Sequence, residues 1–319
     1  MTFLSSLAER AGATGTRIGF PEVHEPRTLE AMRRLLGSGV RPVAVAAGDA
    51  AAGASAHGLE VLDASTSDVR AATRPYLEAA GQSDDPGSLS MSVALLRAGR
   101  LDGVVAGAEA ATADVLRAGL RLLGVKEGIR TVSSAFYMVL GQAEQEDERV
   151  LTFTDGAVVP DPTAEQLAEI AVAASDARRA IVGDEPRVAF LSYSTAGSAE
   201  GPSVTKARAA VELFRTIRPD VVADGELQVD AALDRSVAAR KSPGSPLHGA
   251  ANVLVFPNLD AANIGYKLVE RLGNARAVGP ILQGLDGALN DLSRGASIDD
   301  IVRVSYVTAL MAGSAQEQT

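Results

Sequence analysis

Short apolar segments alternate along this chain with segments of helical periodicity. Such alternation is typical of a parallel sheet covered by helices on both faces, because a parallel connection needs a crossover that is usually a helix. We therefore predict an α/β fold with parallel sheets. In the first third of the chain the predicted strands are Arg17–Pro21, Pro42–Ala46, Leu59–Leu62 and Gly103–Gly107, and the predicted helices are Thr28–Leu36 and Ser90–Ala98.

The pattern changes after residue 128. Thr131–Leu140 and Val150–Thr154 read as adjacent strands, and we predict a hairpin across the polar, acidic segment 141–149. Thr163 followed by Gln166 predicts a capping box at the start of the next helix, and Arg240–Pro246 is predicted to be a turn-rich loop. The remaining predicted elements are helix Thr163–Arg179, strand Val188–Ser192, helix Val204–Ile217, strand Val221–Asp224, helix Asp230–Ser236, strand Val253–Phe256 and helix Ala262–Leu272.

Composition limits the classes of function. A chain of 319 residues is long enough for one large or two medium domains. The net charge of −10 argues against a nucleic-acid or anionic-membrane partner. Cysteine is absent, which excludes disulfides, thiolate metal ligands and a cysteinyl acyl-enzyme. His24, His57 and His248 have no metal-ligand spacing, so no metal site is predicted.

The N-terminal segment predicts an amphipathic helix rather than a targeting signal. Phe3, Leu4 and Leu7 are spaced as one helix face. Glu9 and Arg10 interrupt the segment before the core of a signal peptide could form. No apolar run approaches the roughly 20 residues that span a bilayer. We expect a soluble, cytoplasmic protein.

Residues 290–300 combine a cation, hydroxyl groups and carboxylates. The segment from Ser293 to Gly295 is predicted to form a turn that exposes a hydroxyl, a guanidinium and backbone amides. Ser297 is predicted to cap a short helix that begins near Ile298, with Asp299 and Asp300 in its first turn. An anion site and a carboxylate base within one helical turn suit chemistry on a phosphorylated substrate. The alternative interpretation of the stretch alone is a capped helix start.

Several further motifs in the C-terminal half occur in a characteristic order and spacing. Together with Asn290–Gly295, they closely resemble the phosphate acetyltransferase (phosphotransacetylase) family, which shares its fold with phosphate butyryltransferases. The resemblance is dense from about Thr152 to Ala312 and thinner before that. The motifs are Leu191–Ala199, Asp224–Ala232, Ala251–Pro257, Asn263–Leu268 and Gly279–Leu285.

The resemblance implies an isocitrate/isopropylmalate dehydrogenase-like architecture of two parallel-sheet α/β domains. The first domain would comprise residues 1–128 plus 283–319, and the second residues 129–282. The resemblance also places the active site in the cleft between the domains and suggests a homodimer. Alternation of strands and helices does not by itself reveal the return of the chain to the first domain.

The reaction implied by the resemblance is reversible transfer of an acetyl group between acetyl phosphate and coenzyme A. Coenzyme A is then a substrate, and no cofactor is permanently bound. The resemblance assigns Asp300 as the base that takes the thiol proton and Arg294 as the residue that orients the phosphoryl group. It assigns Ser293 as a donor to the developing oxyanion or the thioester. A positioned base and fixed donors are what a protonated thiol and a developing oxyanion need.

Substrate-binding residues are also implied by the resemblance. Arg271 would contact coenzyme A, although an arginine in a last helical turn can simply complement the helix dipole. Arg117 would contact the phosphates of the substrate, with a solvated helix arginine as the alternative interpretation. A loop after a buried strand and a turn into a helix are predicted to line the ligand; they contain Ser192, Ser194, Thr195, Gly197 and Ser198, and Asn263, Gly265 and Lys267.

The sequence departs from the family pattern at three places. The segment before the predicted helix Ser90–Ala98 lacks the usual Arg-rich run containing Lys-Gly. Ala110 stands where the family has a histidine, and Ala196 stands where it often has a lysine. By the resemblance, we expect these changes to bear on the anchoring of the coenzyme A phosphates, on acyl-chain preference and on activity. Arg70 or Arg74 could substitute for the missing basic residues.

Four other functions remain open at this stage. A phosphate butyryltransferase differs only in the acyl chain, and each additional methylene is worth about 0.8 kcal/mol of burial. A catalytically weakened relative could bind acyl-coenzyme A as a regulator. An NAD-dependent decarboxylating dehydrogenase is disfavoured because no Gly-x-Gly-x-x-Gly follows the first strand. A non-enzymatic scaffold leaves the clustered motifs unexplained.

Overall fold

The computed structural model describes residues 2–82, 86–141 and 148–316. Two compact units divide the chain. The first consists of Phe3–Glu127 and Gly279–Thr319, and the second of Gly128–Val278.

The chain begins in the first unit with six helices and four strands. The elements are α1 (Phe3–Thr14), β1 (Arg17–Phe20), α2 (Pro26–Leu35), β2 (Arg41–Ala46), α3 (Gly48–Ala56), β3 (Glu60–Asp63), α4 (Ser67–Ala79), α5 (Gly87–Arg97), β4 (Gly103–Ala106) and α6 (Thr112–Leu122). All four predicted strands of this region are present, and so are the two helices predicted with bounds and the predicted N-terminal amphipathic helix, α1. Helices α3 and α4 were not predicted.

The second unit has its elements in the predicted order up to the helix that ends at Leu272, and it adds a last strand that was not predicted. These are β5 (Ser133–Leu140), β6 (Arg149–Thr154), α7 (Ala164–Ile181), β7 (Arg187–Leu191), α8 (Pro202–Ile217), β8 (Val222–Leu227), α9 (Val229–Leu233), α10 (Arg235–Lys241), β9 (Val253–Val255), α11 (Leu259–Leu272) and β10 (Arg276–Gln283). Strands β5 and β6 pair antiparallel, as the predicted hairpin requires. Most of the hairpin's connecting loop, residues 142–147, lies outside the described residues. The capping box of Thr163 and Gln166 is present at the start of α7.

The chain then returns to the first unit with β11 (Ala288–Asp291) and α12 (Ile298–Gln316). Helix α12 begins at the predicted residue, but the prediction of a short helix is wrong because it continues to Gln316. Its apolar residues explain the length, since Ile301, Val304 and Val307 are all buried in the first unit.

Each unit is built around one sheet. In the first unit the strand order is β11-β4-β1-β2-β3 and every pair is parallel. In the second unit the order is β10-β5-β6-β9-β7-β8. Three neighbouring pairs in this order are parallel: β6 with β9, β9 with β7, and β7 with β8. The predicted α/β class with mainly parallel sheets is therefore confirmed.

Three predicted boundaries in the second unit are wrong. The single helix Asp230–Ser236 is instead α9 and α10, because Asp234 accepts from the backbone N–H groups of Ser236 and Val237 and so starts a new helix. The turn-rich loop predicted from Arg240 begins later, since Arg240 and Lys241 still belong to α10.

The third error concerns the helix predicted from Ala262. Asn258 caps α11, and its side chain accepts from the N–H of Ala261. The helix therefore begins at Leu259. Asn263, Gly265 and Lys267 consequently lie inside α11 and not in a turn that leads into it.

A buried arginine joins α7 to the sheet of the second unit. Arg178 is 2% exposed and forms an ion pair with Asp184 at 2.7 Å. Its guanidinium also donates to the backbone carbonyls of Val150 and Asn252 and to the hydroxyl of Thr152, each at 3.0 Å. One side chain thus satisfies polar groups near the start of β6 and before β9.

We expect Arg178→Met to lower the free energy of unfolding by about 1–3 kcal/mol, the cost of leaving a buried polar group without a partner. The Asn252 carbonyl keeps one donor, the backbone N–H of Thr152. The control is Arg179→Met at the next position. Arg179 pairs with Glu185 and Asp220 at the surface, and such pairs contribute about 1 kcal/mol or less. Urea denaturation measures both variants, and equal losses would contradict the structural role of Arg178.

Candidate active site

An exposed loop connects β11 to α12 and carries Ser293, Arg294 and Gly295. It follows the carboxyl end of a strand in a parallel sheet, which is where ligands of α/β proteins usually bind. The guanidinium of Arg294 makes no hydrogen bond or ion pair with any residue that the structure describes. Its planar donor fork is therefore free to bind a phosphate or carboxylate.

The backbone of this loop is held by Arg27 from the start of α2. One terminal nitrogen of Arg27 donates to the carbonyls of Arg294 at 2.9 Å and Ala296 at 2.8 Å. The other donates to the carbonyl of Ala108 at 3.2 Å. Glu25 in turn orients the guanidinium through bonds of 3.0 Å. The loop backbone is thus fixed while the side chain of Arg294 remains available.

The ion pair of Glu25 and Arg27 stabilises both charges. The hydrogen bonds from Arg27 lower the pKa of Glu25 to about 2. The same contact raises the pKa of Arg27 above its usual value. Sequence reasoning missed Arg27. The available signal was that Glu25 and Arg27, of opposite charge, flank Pro26 at a helix start. This signal is weak.

Asp300 belongs to a capping box at the start of α12. Its Oδ2 accepts from the backbone N–H of Ser297 at 2.9 Å and from the Ser297 hydroxyl at 2.7 Å. The hydroxyl of Ser297 accepts in return from the N–H of Asp300 at 3.2 Å. Oδ1 accepts from Arg303 at 3.1 Å, and the side chain of Asp300 is 40% exposed. The carboxylate is held in place and still open to a ligand.

A buried carboxylate organises the loop after β4. Glu22 is 6% exposed and accepts from four consecutive backbone N–H groups. Oε2 accepts from Gly107 at 3.0 Å and Ala108 at 2.8 Å, and Oε1 accepts from Glu109 at 3.1 Å and Ala110 at 2.7 Å. This loop leads into α6, so Glu22 fixes the segment before the helix that carries Arg117.

Asp291 links the end of β11 to the start of α6. Its Oδ2 accepts from the hydroxyl of Thr112 at 2.6 Å, and the residue is fully buried. Burial raises the pKa of Asp291 to about 7, and the nearby charge of Glu22 adds to the rise. Gly107 leaves room for this carboxyl group, because a Cβ there would lie 2.3 Å from Oδ1.

We expect the stability of the protein to fall as the pH rises through 7, and Asp291→Asn to remove part of that fall. The pKa of Asp291 is higher in the folded state than its ordinary value of 3.8. The proton therefore favours folding fully below about pH 4, and this contribution is lost as the pH rises through about 7. A difference of 1 in pKa corresponds to about 1.4 kcal/mol, so the effect amounts to a few kcal/mol.

Urea denaturation between pH 4 and pH 8 measures this effect. The free energy of unfolding of Asp291→Asn should rise relative to the unsubstituted protein across that range. Asp286→Asn is the control, since Asp286 forms an exposed ion pair with Arg97. If the free energy of unfolding changed equally with pH in the protein and in Asp291→Asn, the assignment of a buried, protonated carboxyl group would be contradicted.

Arg117 lies in the middle of α6. It is 54% exposed and pairs with Asp114 one helical turn earlier. Among the described residues, the link between α6 and the β11–α12 loop is indirect: Thr112, at the start of α6, donates to Asp291, at the end of β11. Ser293, Arg294 and Asp300, in contrast, lie within one loop and the following helical turn.

The predicted hydroxyl-rich loop of the second unit follows β7. Ser194 and Thr195 are buried, and their hydroxyl groups bond to other parts of the unit. Ser194 donates to Oε1 of Glu226 at 2.8 Å. Thr195 donates to Oε1 of Gln228 at 3.2 Å and accepts from the Gln228 N–H at 2.9 Å. These two hydroxyls hold the loop to the end of β8 and to the residue that follows it.

Glu226 is the centre of this network. It accepts from the N–H of Gly197 at 2.9 Å and from Arg208 at 2.7 and 3.1 Å. Burial alone would raise the pKa of Glu226, but the hydrogen bonds from Arg208, Gly197 and Ser194 outweigh it and lower the pKa to about 2. Sequence reasoning missed Glu226, although the residue lies within the quoted segment Asp224–Ala232.

The other face of the same loop is open. Gly197 and Ser198 are exposed and Ser192 is half-buried. The Ser198 hydroxyl accepts from the N–H of Thr195 at 3.0 Å, which orients it. Of the five loop residues predicted from sequence, three therefore face outward and two face the unit's interior.

Three predicted binding residues lie along one side of α11, because they are spaced four apart. Asn263 donates to the hydroxyl of Tyr266 at 3.4 Å, and Nζ of Lys267 lies 5.5 Å from the centroid of the same ring. Arg271 is 80% exposed, with Nε 3.8 Å from Glu270. No hydrogen bond in the described part of the chain joins this helix side to the hydroxyl-rich loop.

The described residues lack two features that other classes of function require. Among them, no group of three or more His, Asp or Glu side chains is close enough to hold a metal ion. None of their helices is long and apolar enough to cross a membrane.

Known proteins resemble this chain along almost its whole length. A family model described as phosphate acetyl/butaryl transferase matches residues 2–309. The phosphate acetyltransferase of Thermoanaerobacterium thermosaccharolyticum is 42% identical over 328 residues, covering 98% of this chain and 100% of the relative. That of Paracoccus denitrificans is 43% identical over 314 residues, covering 96% and 98%.

A solved structure agrees with these relatives. A phosphotransacetylase from Staphylococcus aureus superimposes with a TM-score of 0.87 at 35% identity, covering 97% of this chain and 98% of that chain. The chain therefore belongs to the phosphate acetyl/butaryl transferase family. The resemblance noted in the sequence is confirmed.

Proposed function

We propose that this protein is a phosphate acetyltransferase that converts acetyl phosphate and coenzyme A into acetyl-coenzyme A and phosphate, and the reverse. The observation that carries the proposal is the β11–α12 loop. It presents Ser293 and the exposed guanidinium of Arg294 on a backbone fixed by Arg27, and the partly exposed carboxylate of Asp300 lies in the first turn of the next helix. Cation, hydroxyl and carboxylate are the groups that acyl transfer from an acyl phosphate to a thiol needs.

The chemistry proceeds by direct transfer. The sulfur of coenzyme A attacks the carbonyl carbon, so a carbon–sulfur bond forms while the bond from that carbon to the phosphate oxygen breaks. Asp300 takes the thiol proton, and phosphate leaves as an anion. Because the chain has no cysteine, no cysteinyl acyl-enzyme intervenes. The reverse reaction follows the same steps in the opposite order.

Arg294 and Ser293 act on the charge that develops during the attack. The guanidinium of Arg294 orients the phosphoryl group by two-point hydrogen bonding and stabilises the negative charge. The Ser293 hydroxyl donates to the carbonyl oxygen as it becomes an oxyanion. The capping box supports this arrangement because it fixes Asp300 against Ser297 and leaves its carboxylate open.

Coenzyme A and phosphate contacts come from the remaining predicted residues. Arg117 and Arg271 supply cations, and Asn263 and Lys267 extend the polar side of α11. Ser192, Gly197 and Ser198 contact substrate from the open face of their loop. Ser194 and Thr195 act as positioning residues, since their hydroxyls bond to Glu226 and Gln228. We also propose a cytoplasmic homodimer.

We expect Asp300→Asn to lower turnover by about 10² to 10⁴. The asparagine keeps the shape of the cap but cannot accept the thiol proton. Higher pH should restore part of the activity, because a thiol of pKa about 8.5 then ionises without help. Turnover is measured by thiol consumption with acetyl phosphate and coenzyme A between pH 6 and pH 9.

The matched control for this variant is Asp299→Asn at the adjacent position. Asp299 is 61% exposed and pairs with Arg34 at 2.9 Å, so its loss should leave turnover nearly unchanged. Equal pH profiles for Asp300→Asn and the unsubstituted protein would remove Asp300 as the base. If the unsubstituted protein binds coenzyme A but transfers neither acetyl, propionyl nor butyryl groups, it is a regulatory relative. A preference for butyryl phosphate would make it a phosphate butyryltransferase.

We expect Arg294→Lys to lower turnover by about 10² or more, since one lost donor to the charge that develops in a transition state costs about that much. Lysine keeps the charge and loses the planar fork. The free energy of unfolding should change by only about 0.5 kcal/mol, as for other exposed sites. Arg34→Lys is the control. Unchanged turnover in Arg294→Lys would exclude a two-point contact between Arg294 and the phosphoryl group.

A further inference from the structure

A cavity in the second unit contains none of the proposed active-site residues. Its volume is about 710 Å³, which falls within the range of about 300–1,000 Å³ typical of small-molecule sites. Arg187, the first residue of β7, lines it, and so do Leu247, His248 and Ala250, which precede β9. The cavity therefore lies at the amino ends of these parallel strands. The hydroxyl-rich loop follows the other end of β7, which is about 15 Å away at about 3.3 Å per residue.

A second cavity adjoins the first, because Arg235 and Ala250 line both. It adds the side chain of Arg149, the first residue of β6, and one carboxylate, that of Asp234. This carboxylate already accepts from backbone N–H groups as the cap of α10. The two cavities together form a groove, which we call the amino-edge groove.

The arginines of the amino-edge groove have no acidic partner. Among the described residues of the second unit, Arg149, Arg187 and Arg235 form no ion pair, whereas every other arginine except Arg240 pairs with a carboxylate. The uncompensated arginines are thus concentrated at one place. In a chain with a net charge of −10, such a local excess of positive charge indicates an anionic ligand.

The guanidinium of Arg187 is held in place and still has donors to offer. Its Nε donates to the carbonyl of Ala250 at 3.0 Å. One terminal nitrogen donates to the carbonyls of Pro246 at 3.1 Å and Leu247 at 2.8 Å. The other terminal nitrogen donates to no group in the described parts of the chain, so its N–H groups are available to a ligand.

The two other arginines are also available. Arg235 is exposed, and its side chain forms no hydrogen bond with any residue that the structure describes. Arg149 uses one terminal nitrogen to donate to the carbonyl of Ala251 at 3.0 Å. Burial and the nearby charge of Arg178 lower the pKa of Arg149. A bound anion would offset both effects, because an opposite charge nearby favours the charged form of a side chain.

The lining favours a phosphate group joined to a small organic body. A phosphate monoester offers three terminal oxygens and up to two charges, and can therefore engage more than one guanidinium group. A monocarboxylate offers only two oxygens and one charge. The larger cavity also has apolar walls, which suit an organic body; they are formed by Ala238, Ala239, Pro243 and Leu247.

We propose that the amino-edge groove binds the phosphate group of a small phosphorylated metabolite, with Arg187 and Arg235 as its ligands and Arg149 beside them. Free inorganic phosphate shares this chemistry and is the other source of such a group. The groove is a second site, separate from the β11–α12 loop. The proposal concerns binding and does not depend on acetyl transfer.

Calorimetry on the full chain tests the proposal, with glycerol 2-phosphate as the probe. The titrations use the variant Arg294→Ala as the background, so that the guanidinium of the β11–α12 loop cannot bind the probe. The probe should bind to this background. Adding Arg235→Ala should weaken its binding at least about tenfold, because charge-assisted hydrogen bonds are roughly twice as strong as neutral ones. Arg235 forms no contact that the fold needs, so the thermal unfolding temperature should not change.

The matched control is Arg240→Ala on the same background. Arg240 lies in the same helix, α10, and is also exposed, but it lines neither cavity. Its loss should leave binding of the probe unchanged. Arg187→Lys provides a second test that keeps the charge. It should also weaken binding, because lysine lacks the planar fork, and thermal unfolding shows whether this variant folds.

Inorganic phosphate then separates the two sources. If glycerol 2-phosphate binds more tightly than inorganic phosphate, the organic body contributes and the ligand is a phosphorylated metabolite. If both bind equally and both lose affinity in Arg235→Ala, the groove holds free phosphate. The proposal is overturned if neither probe binds, or if Arg235→Ala and Arg240→Ala bind glycerol 2-phosphate equally well. Acetate that binds as tightly as the phosphate probes would also overturn it.

Discussion

Loops at the carboxyl ends of parallel strands carry backbone groups that the sheet no longer pairs, and such groups need partners when they are buried. In the first unit two ionic side chains meet this need. Glu22 accepts from four consecutive N–H groups after β4, and Arg27 donates to three carbonyls, two of which belong to the β11–α12 loop. The position of Arg294 depends on these contacts.

The second unit meets the same need with a different set of residues. Glu226 holds the loop after β7 through Ser194 and the N–H of Gly197, and Arg208 balances its charge. In both units the residues that shape the loop differ from those proposed to touch substrate. This division leaves the functional side chains exposed without loss of order in the backbone beneath them.

Sequence reasoning found the fold where local signals were strong. The capping box of Thr163 and the hairpin of β5 and β6 have such signals, and both are present. Helix α3 was missed because Gly48–Ala56 is mostly alanine and glycine and has no amphipathic pattern. The single helix predicted from Asp230 was wrong because the side chain of Asp234 caps a second helix. Whether the first helix continues or a new one begins therefore depends on the hydrogen bonds of one side chain.

The residues of the candidate site were also only partly predictable from the sequence. The motif around Arg294 and Asp300 was readable because its residues are adjacent in sequence. Arg27 lies 267 residues from Arg294, and Glu22 lies 85 to 88 residues from the N–H groups that it binds. A single sequence carries no sign of such pairs, because only the folded chain brings them together. The raised pKa of Asp291 is equally invisible, since burial causes it.

The backbone contacts of Glu22 and Glu226 have a consequence for how this family can diversify. Ala110 and Ala196 each contribute a backbone N–H to these loops: Ala110 donates to the carboxylate of Glu22 at 2.7 Å, and Ala196 donates to the backbone carbonyl of Glu226 at 3.3 Å. Every residue type except proline supplies the same N–H. Evolution can therefore exchange the side chain at either position, and with it the chemistry presented to a ligand, while the loop keeps its shape.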